Sequence, residues 1–367
     1  MTPEPIHFVM LGGFLGAGKT TLISKLAKRF QADGKHVCIV TNDQAAGLVD
    51  THLLKSQGLE VNEVAGSCFC CNFNGLTDAM SEFETRRRPD VILAEPVGSC
   101  TDLIATIAMP LMQQMGEQFT HSPYAVMLKP SHGLRILSGR GGGFSAKAEY
   151  IFRKQIEEAE VVLINRIDEL TQEQINELKG YVAEQYPDKH VVGISAKTDK
   201  NLDEVYAIVQ SRCELPTVMM EVDYDVYAEG EAELGWLNAT INLNSDSPYR
   251  LDEMTLALVD HVRDELLSID AEPAHLKVLS TTGGDVSVAN LVSSDSPTML
   301  SIESGISTQQ ASIILNARVC LAPERLRPLV ESALERIAAR FNGTLEVEQI
   351  EAFRPGRPVP THRVTTT

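Results

Sequence analysis

The sequence predicts an α/β protein: a doubly wound, mostly parallel sheet in residues 1–215, followed by a smaller α+β domain. Three observations predict it. Short apolar runs alternate with segments of helical periodicity through the first part, and such runs mark strands buried on both faces of a parallel sheet. A glycine-rich stretch joins the first run to the first helical segment, the tight turn that a strand-to-helix unit of a parallel sheet needs. Near Leu215-Pro216 the texture changes to longer alternating strands. The length, 367 residues, suits about two domains.

The elements follow in order. Residues 6–11 are an apolar run ending in glycines, and residues 20–31 carry Leu22, Ile23, Leu26, Ala27 and Phe30 at helical spacing. Residues 37–41 read as a buried strand, 76–88 as a helix, and 91–94 as a strand after Pro89-Asp90. Residues 147–159 read as helix, 161–164 as strand, 173–184 as helix, 191–194 as strand and 202–210 as helix. Residues 113–146 interrupt this rhythm. A strand over 124–128 fits, but Lys129-Pro130, Ser138-Gly139 and the run Gly141-Gly142-Gly143 predict a mobile loop after it.

Residues 216–233 are acidic and read as a linker or edge strand. Residues 234–352 then give strand (236–243), helix (251–267), three strands (275–280, 286–292, 312–321), a helix to Phe341 and a last strand (344–350). Pro323 stands just inside the helix start and Asn342-Gly343 at its end. This order suggests a ferredoxin-like split βαβ arrangement. The Pro/Arg/Thr-rich tail, 353–367, is expected to fray. Trp236, the single tryptophan, is assigned to core or domain-interface packing.

Lys and Arg total 32 against 50 Asp and Glu, a net charge of −18. Such a field repels phosphate polymers, which argues against nucleic acid and anionic membranes as partners. No stretch reaches the ~20 apolar residues of a membrane helix. No Lys or Arg precedes the apolar N-terminal run, so the charged region of a signal peptide is missing. The expected location is the cytoplasm, where seven cysteines suit free or metal-binding thiols better than disulfides.

Gly13-Phe14-Leu15-Gly16-Ala17-Gly18-Lys19-Thr20 matches G-x-x-x-x-G-K-[ST] in full, after a strand and before a helix. Its glycines let backbone N–H groups converge on phosphates, and the helix N-terminus adds a positive dipole. Lys19 supplies charge to the β- and γ-phosphates and Thr20 a hydroxyl to Mg²⁺, with Thr21 next in the helix. The motif makes the first domain a P-loop NTPase. Glu95 in Glu95-Pro96-Val97-Gly98 ends a buried strand on the phosphate side. There it can hold Mg²⁺ through water or orient the attacking water, while Gly98 offers an N–H to the γ-phosphate. Lys19, Glu95 and Gly98 are thus the candidate catalytic residues.

Asn165-Arg166-Ile167-Asp168 follows a strand, as the Asn-Lys-x-Asp guanine reader of GTPases does, with Arg in place of Lys. An Asp168 carboxylate paired with the guanine N1–H and amino group would leave unpaired groups against adenine. Arg166 can stack on the base. Ser195-Ala196-Lys197, after the next strand, can meet the guanine carbonyl.

Cys68-Phe69-Cys70-Cys71 puts three thiols in four residues, between the phosphate loop and Glu95. Three soft donors suit Zn²⁺, Cu⁺ or another thiophilic ion, although the spacing alone also fits ordinary buried cysteines. In an extended chain Cys68 and Cys70 share a face, and a bend is needed to add Cys71.

These motifs, with Gly12 to Thr21, come in the order found in the CobW family of metal-linked GTPases, relatives of the urease and hydrogenase nickel-insertion GTPases. The sequence from Gln155 to Asp168 also resembles that family, and the likeness covers residues 6 to about 215. The resemblance implies GTP/GDP and Mg²⁺ as ligands and GTP hydrolysis coupled to metal handling. It implies that Cys68, Cys70 and Cys71 bind Zn²⁺ or Co²⁺. Asp43 matches a position with a Mg²⁺-side or metal-side role, and Asp50 an acidic position in the same switch-like segment. The implied partner is a client metalloenzyme or a cobalamin-dependent protein, and a homodimer is compatible with the resemblance.

The chain also departs from the pattern. Lys129-Pro130-Ser131 replaces an aspartate common in the family, the nine histidines are scattered rather than clustered, and Gly141-Gly142-Gly143 is an insertion. His52 and Cys100 lie near the candidate segments and could complete a metal shell, or be structural. Arg354, Arg357 and Arg363 could grip an acidic partner or phosphates, or belong to a disordered tail.

The sequence therefore supports a GTPase metallochaperone with slow intrinsic turnover, since no arginine finger is evident in cis. A nucleotide-gated adaptor that opens a cobalamin- or metal-dependent enzyme without carrying metal is the rival reading. A P-loop small-molecule kinase is a third.

Overall fold

The apolar runs of the first half become strands of a single sheet. In the computed structural model, which describes residues 4–44, 49–141 and 143–365, they are β1 (Ile6–Gly13), β2 (Val37–Asn42), β4 (Val91–Glu95), β6 (Ala125–Leu128), β7 (Val161–Ile164) and β8 (His190–Gly193), and two strands that no apolar run announced, β3 (Glu60–Val64) and β5 (Phe119–His121), join the same sheet. The helices of this half are α1 (Lys19–Ala32), α2 (Val49–Ser56), α3 (Phe73–Arg86), α4 (Met109–Met115), α5 (Pro130–Leu137), α6 (Ala146–Glu158), α7 (Gln172–Gln185) and α8 (Leu202–Gln210). The sheet order is β3-β2-β4-β1-β6-β7-β8, with β5 on β1. The pairings are parallel throughout. Every residue of β1 is buried, as a central strand covered on both faces requires. The chain runs to β2 and β3 on one side of β1 and to β6, β7 and β8 on the other. That reversal opens a crevice at the C-terminal end of β1, where an α/β sheet binds its ligand.

The segment expected to be a mobile loop is more ordered than its glycines suggest. Lys129-Pro130 starts α5, with Pro at a position that needs no N–H donor. Phe144 packs edge-on against Phe14 and His132. Gly142 lies outside the described residues.

The described residues form two compact units: residues 4–44, 54–141, 143–228 and 357–365, and residues 49–53 and 229–356. The stretch read as a linker carries α9 (Tyr224–Ala232), in which Tyr227 is fully buried. The second unit then runs β9 (Gly235–Arg250), α10 (Leu251–Ser268), β10 (Pro273–Thr282), β11 (Asp285–Leu291), β12 (Met299–Ile302), β13 (Ser307–Val319), α11 (Pro323–Arg340) and β14 (Gly343–Phe353).

Its sheet order is β12-β11-β10-β13-β9-β14, with antiparallel neighbours. Strands β9 and β10, joined by α10, therefore run parallel with β13 between them. Strands β13 and β14, joined by α11, run parallel with β9 between them. This is the ferredoxin-like pattern expected, extended at one edge by β11 and β12. Leu258 and Val262 of α10 and Val330 and Ile337 of α11 form a core with Ile241, Ile313 and Leu315. Truncating one such leucine or isoleucine to Ala would cost about 2–5 kcal/mol. Trp236 is core here, fully buried, with the Arg318 guanidinium 4.1 Å from its ring centre.

The opposite face of that sheet holds an element from far upstream. Val49 and Leu53 pack on Leu279, Val288 and Ile314. The Val49 N–H donates to Asn316 Oδ1 at 2.9 Å, and Asp50 is ion-paired with Lys277. The acidic residue of the switch-like segment thus has a partner in the C-terminal sheet.

The tail is the clearest difference from expectation. Composition predicts fraying, yet residues 357–365 belong to the first unit and are tied down by specific hydrogen bonds. Residues 366 and 367 lie outside the described residues.

Candidate functional site

The phosphate loop leaves β1 through Gly13, whose φ of +131° and position favour glycine alone. A Cβ there would lie 2.4 Å from the Met127 carbonyl oxygen of β6. Gly18 is similar: φ is +99°, and a Cβ would lie 2.5 Å from Asn165 Nδ2. Gly16 also has positive φ, and Ala17 is fully buried. Lys19 is buried, its Nζ donating to the Gly13 carbonyl at 2.8 Å across the loop. Thr21 is exposed on α1.

The Thr20 hydroxyl donates to Glu95 Oε1 at 2.9 Å, with both side chains buried. The two residues predicted to share a magnesium ion are therefore adjacent, one at a helix start and one at a strand end. A hydroxyl and a carboxylate oxygen side by side form a hard donor set that fits Mg²⁺. Asp43 is buried immediately after β2, its N–H bonded to the Val64 carbonyl. The loop after Glu95 returns against the phosphate loop, since a Cβ on Gly98 would lie 2.8 Å from Leu15 Cδ2.

Asn165 bridges two elements. Its Nδ2 donates to the Ala17 carbonyl at 2.8 Å, and its Oδ1 accepts the Ala196 N–H at 2.9 Å. It thus locks the phosphate loop to the segment after β8. Arg166 adopts the left-handed conformation, φ +60°, and its guanidinium pairs with Glu169. Asp168 is exposed on the short turn Ile167–Glu169. The buried Ser195 Oγ accepts the Thr198 N–H, and Lys197 is exposed. Asn165, Ala17 and Ala196 are thus brought together, with the Asp168 carboxylate on the adjoining exposed turn.

The bend that Cys71 needed is present. The Cys71 and Asn72 N–H groups donate to the Cys68 carbonyl at 3.0 and 2.9 Å. This turn places Cys68 Sγ 3.0 Å from Cys70 Sγ and 3.1 Å from Cys71 Sγ, with Cys70 and Cys71 3.8 Å apart. Cys68 and Cys70 are buried and Cys71 partly exposed. The donor set fits a thiophilic cation: three soft atoms on one side of a small volume. Hydrogen bonds with the thiols of Cys100, Cys70 and Cys71 hold Cys68 well below the usual thiol range. The same contacts, Cys100 first, push Cys70 up, and Cys68 raises Cys71 to about 11. His52 is exposed and lies outside this cluster.

Sequence reasoning missed three supports of the site. Asn42, the last residue of β2, donates from Nδ2 to the carbonyls of Val64 and Ser67, both at 2.8 Å, and accepts the Phe69 N–H at 2.7 Å. Its sequence signals were a polar residue ending an apolar strand and its place directly before Asp43, and neither told what its amide holds. The tail is the second. Val359 N–H donates to Cys71 Sγ at 3.2 Å, while Thr361 donates from its N–H to the Cys70 carbonyl and from its hydroxyl to that of Cys71. Arg363 grips buried Asp102 at 2.6 Å rather than a phosphate, and Arg357 pairs with Asp225. Gln155 is the third, its Nε2 donating to the carbonyls of Gly98 and Cys100.

Residues 7–193 match the family model described as CobW/HypB/UreG, nucleotide-binding domain. The chain is 35% identical over 101 residues to the zinc chaperone CobW of Sinorhizobium sp., covering 25% of this chain and 28% of that one. It is 32% identical over 78 residues to the zinc chaperone YjiA of Escherichia coli K12, covering 21% and 24%. The chain thus spans about a quarter of the length of these curated relatives. The Zn(II)-bound YjiA GTPase from E. coli superposes with a TM-score of 0.37 at 12% identity, over 90% of this chain and 99% of that one. No helix among the described residues is long and apolar enough to cross a membrane. With the model spanning half of its length, the chain belongs to the CobW/HypB/UreG family of nucleotide-binding domains.

Proposed function

We propose that this protein is a GTP-hydrolysing metallochaperone that couples its nucleotide state to the binding and delivery of Zn²⁺ or Co²⁺. The observation that carries this reading is Asn42. One amide ends the strand leading to Asp43 and also holds the cysteine loop by three hydrogen bonds. The nucleotide side and the thiols thereby share a support.

In this reading the loop N–H groups of residues 13–20 bind the phosphates, and Lys19 leaves the Gly13 carbonyl to neutralise the β- and γ-oxygens. Thr20 and Glu95, with Asp43 nearby, hold Mg²⁺, which supplies charge neutralisation on the phosphates. Glu95 also orients the attacking water, and Gly98 senses the γ-phosphate. Asp168 pairs with the guanine edge, Arg166 stacks on it, and Ser195, Ala196 and Lys197 line its carbonyl side. Cys68, Cys70 and Cys71 hold the cargo. The recipient is a client metalloenzyme or a cobalamin-dependent protein in the cytoplasm, where thiols stay reduced. Relatives named zinc chaperones favour Zn²⁺ over Co²⁺.

The test is turnover and metal content together. The purified protein should hydrolyse GTP in preference to ATP, slowly, and Lys19→Ala should abolish it. It should hold one Zn²⁺ per chain, lost when Cys68, Cys70 and Cys71 are all replaced by Ser. Retained client activation in that triple variant would favour an adaptor that carries no metal.

A further inference from the structure

We propose that Cys100 is a fourth sulfur ligand, closing a four-thiolate site with Cys68, Cys70 and Cys71. The proposal rests on the metal-binding reading of the cysteine loop and extends it to a residue outside that motif.

Four observations carry it. The Cys100 thiol hydrogen-bonds with the thiols of Cys68 and Cys70, which sets its sulfur beside two of the three loop sulfurs. Cys100 is 1% exposed, as buried as Cys68 and Cys70, so its thiol is shielded from solvent. The three loop sulfurs are 3.0–3.8 Å apart. A tetrahedral zinc with Zn–S bonds of about 2.3 Å separates its sulfurs by about 3.8 Å, so the cluster needs only a small expansion to take the ion. Finally, Cys100 is held in place from both sides. Its N–H donates to the Val97 carbonyl at 2.9 Å, and its carbonyl accepts Gln155 Nε2 at 2.8 Å.

The position of Cys100 gives the fourth bond a consequence. It lies two residues after Gly98, and Gln155 clamps the carbonyls of both. A displacement of Gly98 is therefore passed to Cys100 through the intervening peptide units and the shared amide. Four sulfurs make a closed site that retains its ion; three leave a coordination position open to a recipient ligand. Cys100 is the thiolate whose backbone belongs to the loop beside the phosphates. It is therefore the one that a change at the phosphate side would withdraw. Gln155 acts through it as a positioning residue.

The experiment is X-ray absorption on the full chain loaded with one equivalent of Zn²⁺, for the unaltered protein and Cys100→Ser, alongside competitive zinc titration. The expected result is four sulfurs at about 2.3 Å in the unaltered protein. The variant should show three sulfurs and one oxygen or nitrogen, with zinc bound at least tenfold more weakly. Three sulfurs in the unaltered protein, with the same shell and affinity in Cys100→Ser, overturns the proposal and leaves the three-cysteine reading standing. No zinc–sulfur signal in the unaltered protein overturns both. If the serine variant does not fold, the sulfur count of the unaltered protein decides alone.

Discussion

The side-chain oxygen of Asn42 accepts the backbone N–H of Phe69 at 2.7 Å. With its amide nitrogen on the Val64 and Ser67 carbonyls, this one residue fixes the cysteine loop to the end of β2. Asn42→Ala should lower stability by about 3 kcal/mol, because three largely buried hydrogen bonds are lost at about 1 kcal/mol each. Zinc affinity should fall with it, while Asn42→Asp, which keeps the acceptor, should retain part of both. Denaturant unfolding and competitive zinc titration provide the check.

The tail covers the thiol side chain nearest solvent. Truncation after Gly356 removes the Val359 donor to Cys71 and both Thr361 hydrogen bonds. Transfer of bound zinc to a chelator should then accelerate tenfold or more, with GTP affinity unchanged. Arg363→Ala alone should destabilise the first unit by about 3–5 kcal/mol, since it leaves the buried Asp102 carboxylate short of its cation.

Base selection should reside in Asp168. Asp168→Asn replaces one acceptor of the carboxylate by a donor, which mismatches guanine but suits the carbonyl of xanthine. GTP affinity should drop about 100-fold, the order expected when a hydrogen-bonding pair is mismatched, and xanthosine triphosphate should bind better than GTP. Equal loss for both nucleotides would place recognition elsewhere.

Glu158 makes stability pH-dependent. Its carboxyl is raised to about 8, mainly by burial, opposed by the Ile104 N–H and aided by the Asp102 carboxylate. The folded protein keeps a proton there that the unfolded chain releases at a lower pH. The associated stability is complete below the ordinary carboxyl range and falls as pH rises towards 8, by up to about 1.4 kcal/mol per pH unit. Glu158→Gln should flatten that slope in unfolding curves recorded from pH 5 to 8. An unchanged slope would assign it to other groups.

Much of the architecture was legible because it is local. Gly13 to Thr20 is read from eight consecutive residues, and the burial of β1 from one apolar run. The split βαβ order of the second unit followed from alternation and from Pro323 at a helix start. The thiols of Cys68, Cys70 and Cys71 announced themselves by spacing, although the turn that unites them did not. What escaped depends on partners distant in the chain. Val359 is fixed by Cys71 and Thr361 by Cys70 and Cys71, and nothing in a Pro-rich tail encodes those carbonyl and sulfur acceptors. Asp50 matched an acidic position of a switch-like segment, and the partners of that segment, Lys277 and the apolar face of the C-terminal sheet, lie more than 200 residues further along the chain. Lys129-Pro130 looked like a chain break because Pro opens a helix as readily as it ends one.

The central claim is that nucleotide and metal are thermodynamically coupled. The measurement that tests it most directly is the zinc dissociation constant of the full chain by competitive titration, with a non-hydrolysable GTP analogue, with GDP and without nucleotide. The account predicts affinities that differ by at least about fivefold between the GTP-analogue and GDP states, the lower end of ordinary coupling energies. Identical constants in all three states would contradict it, since ligands that bind with equal affinity carry no coupling.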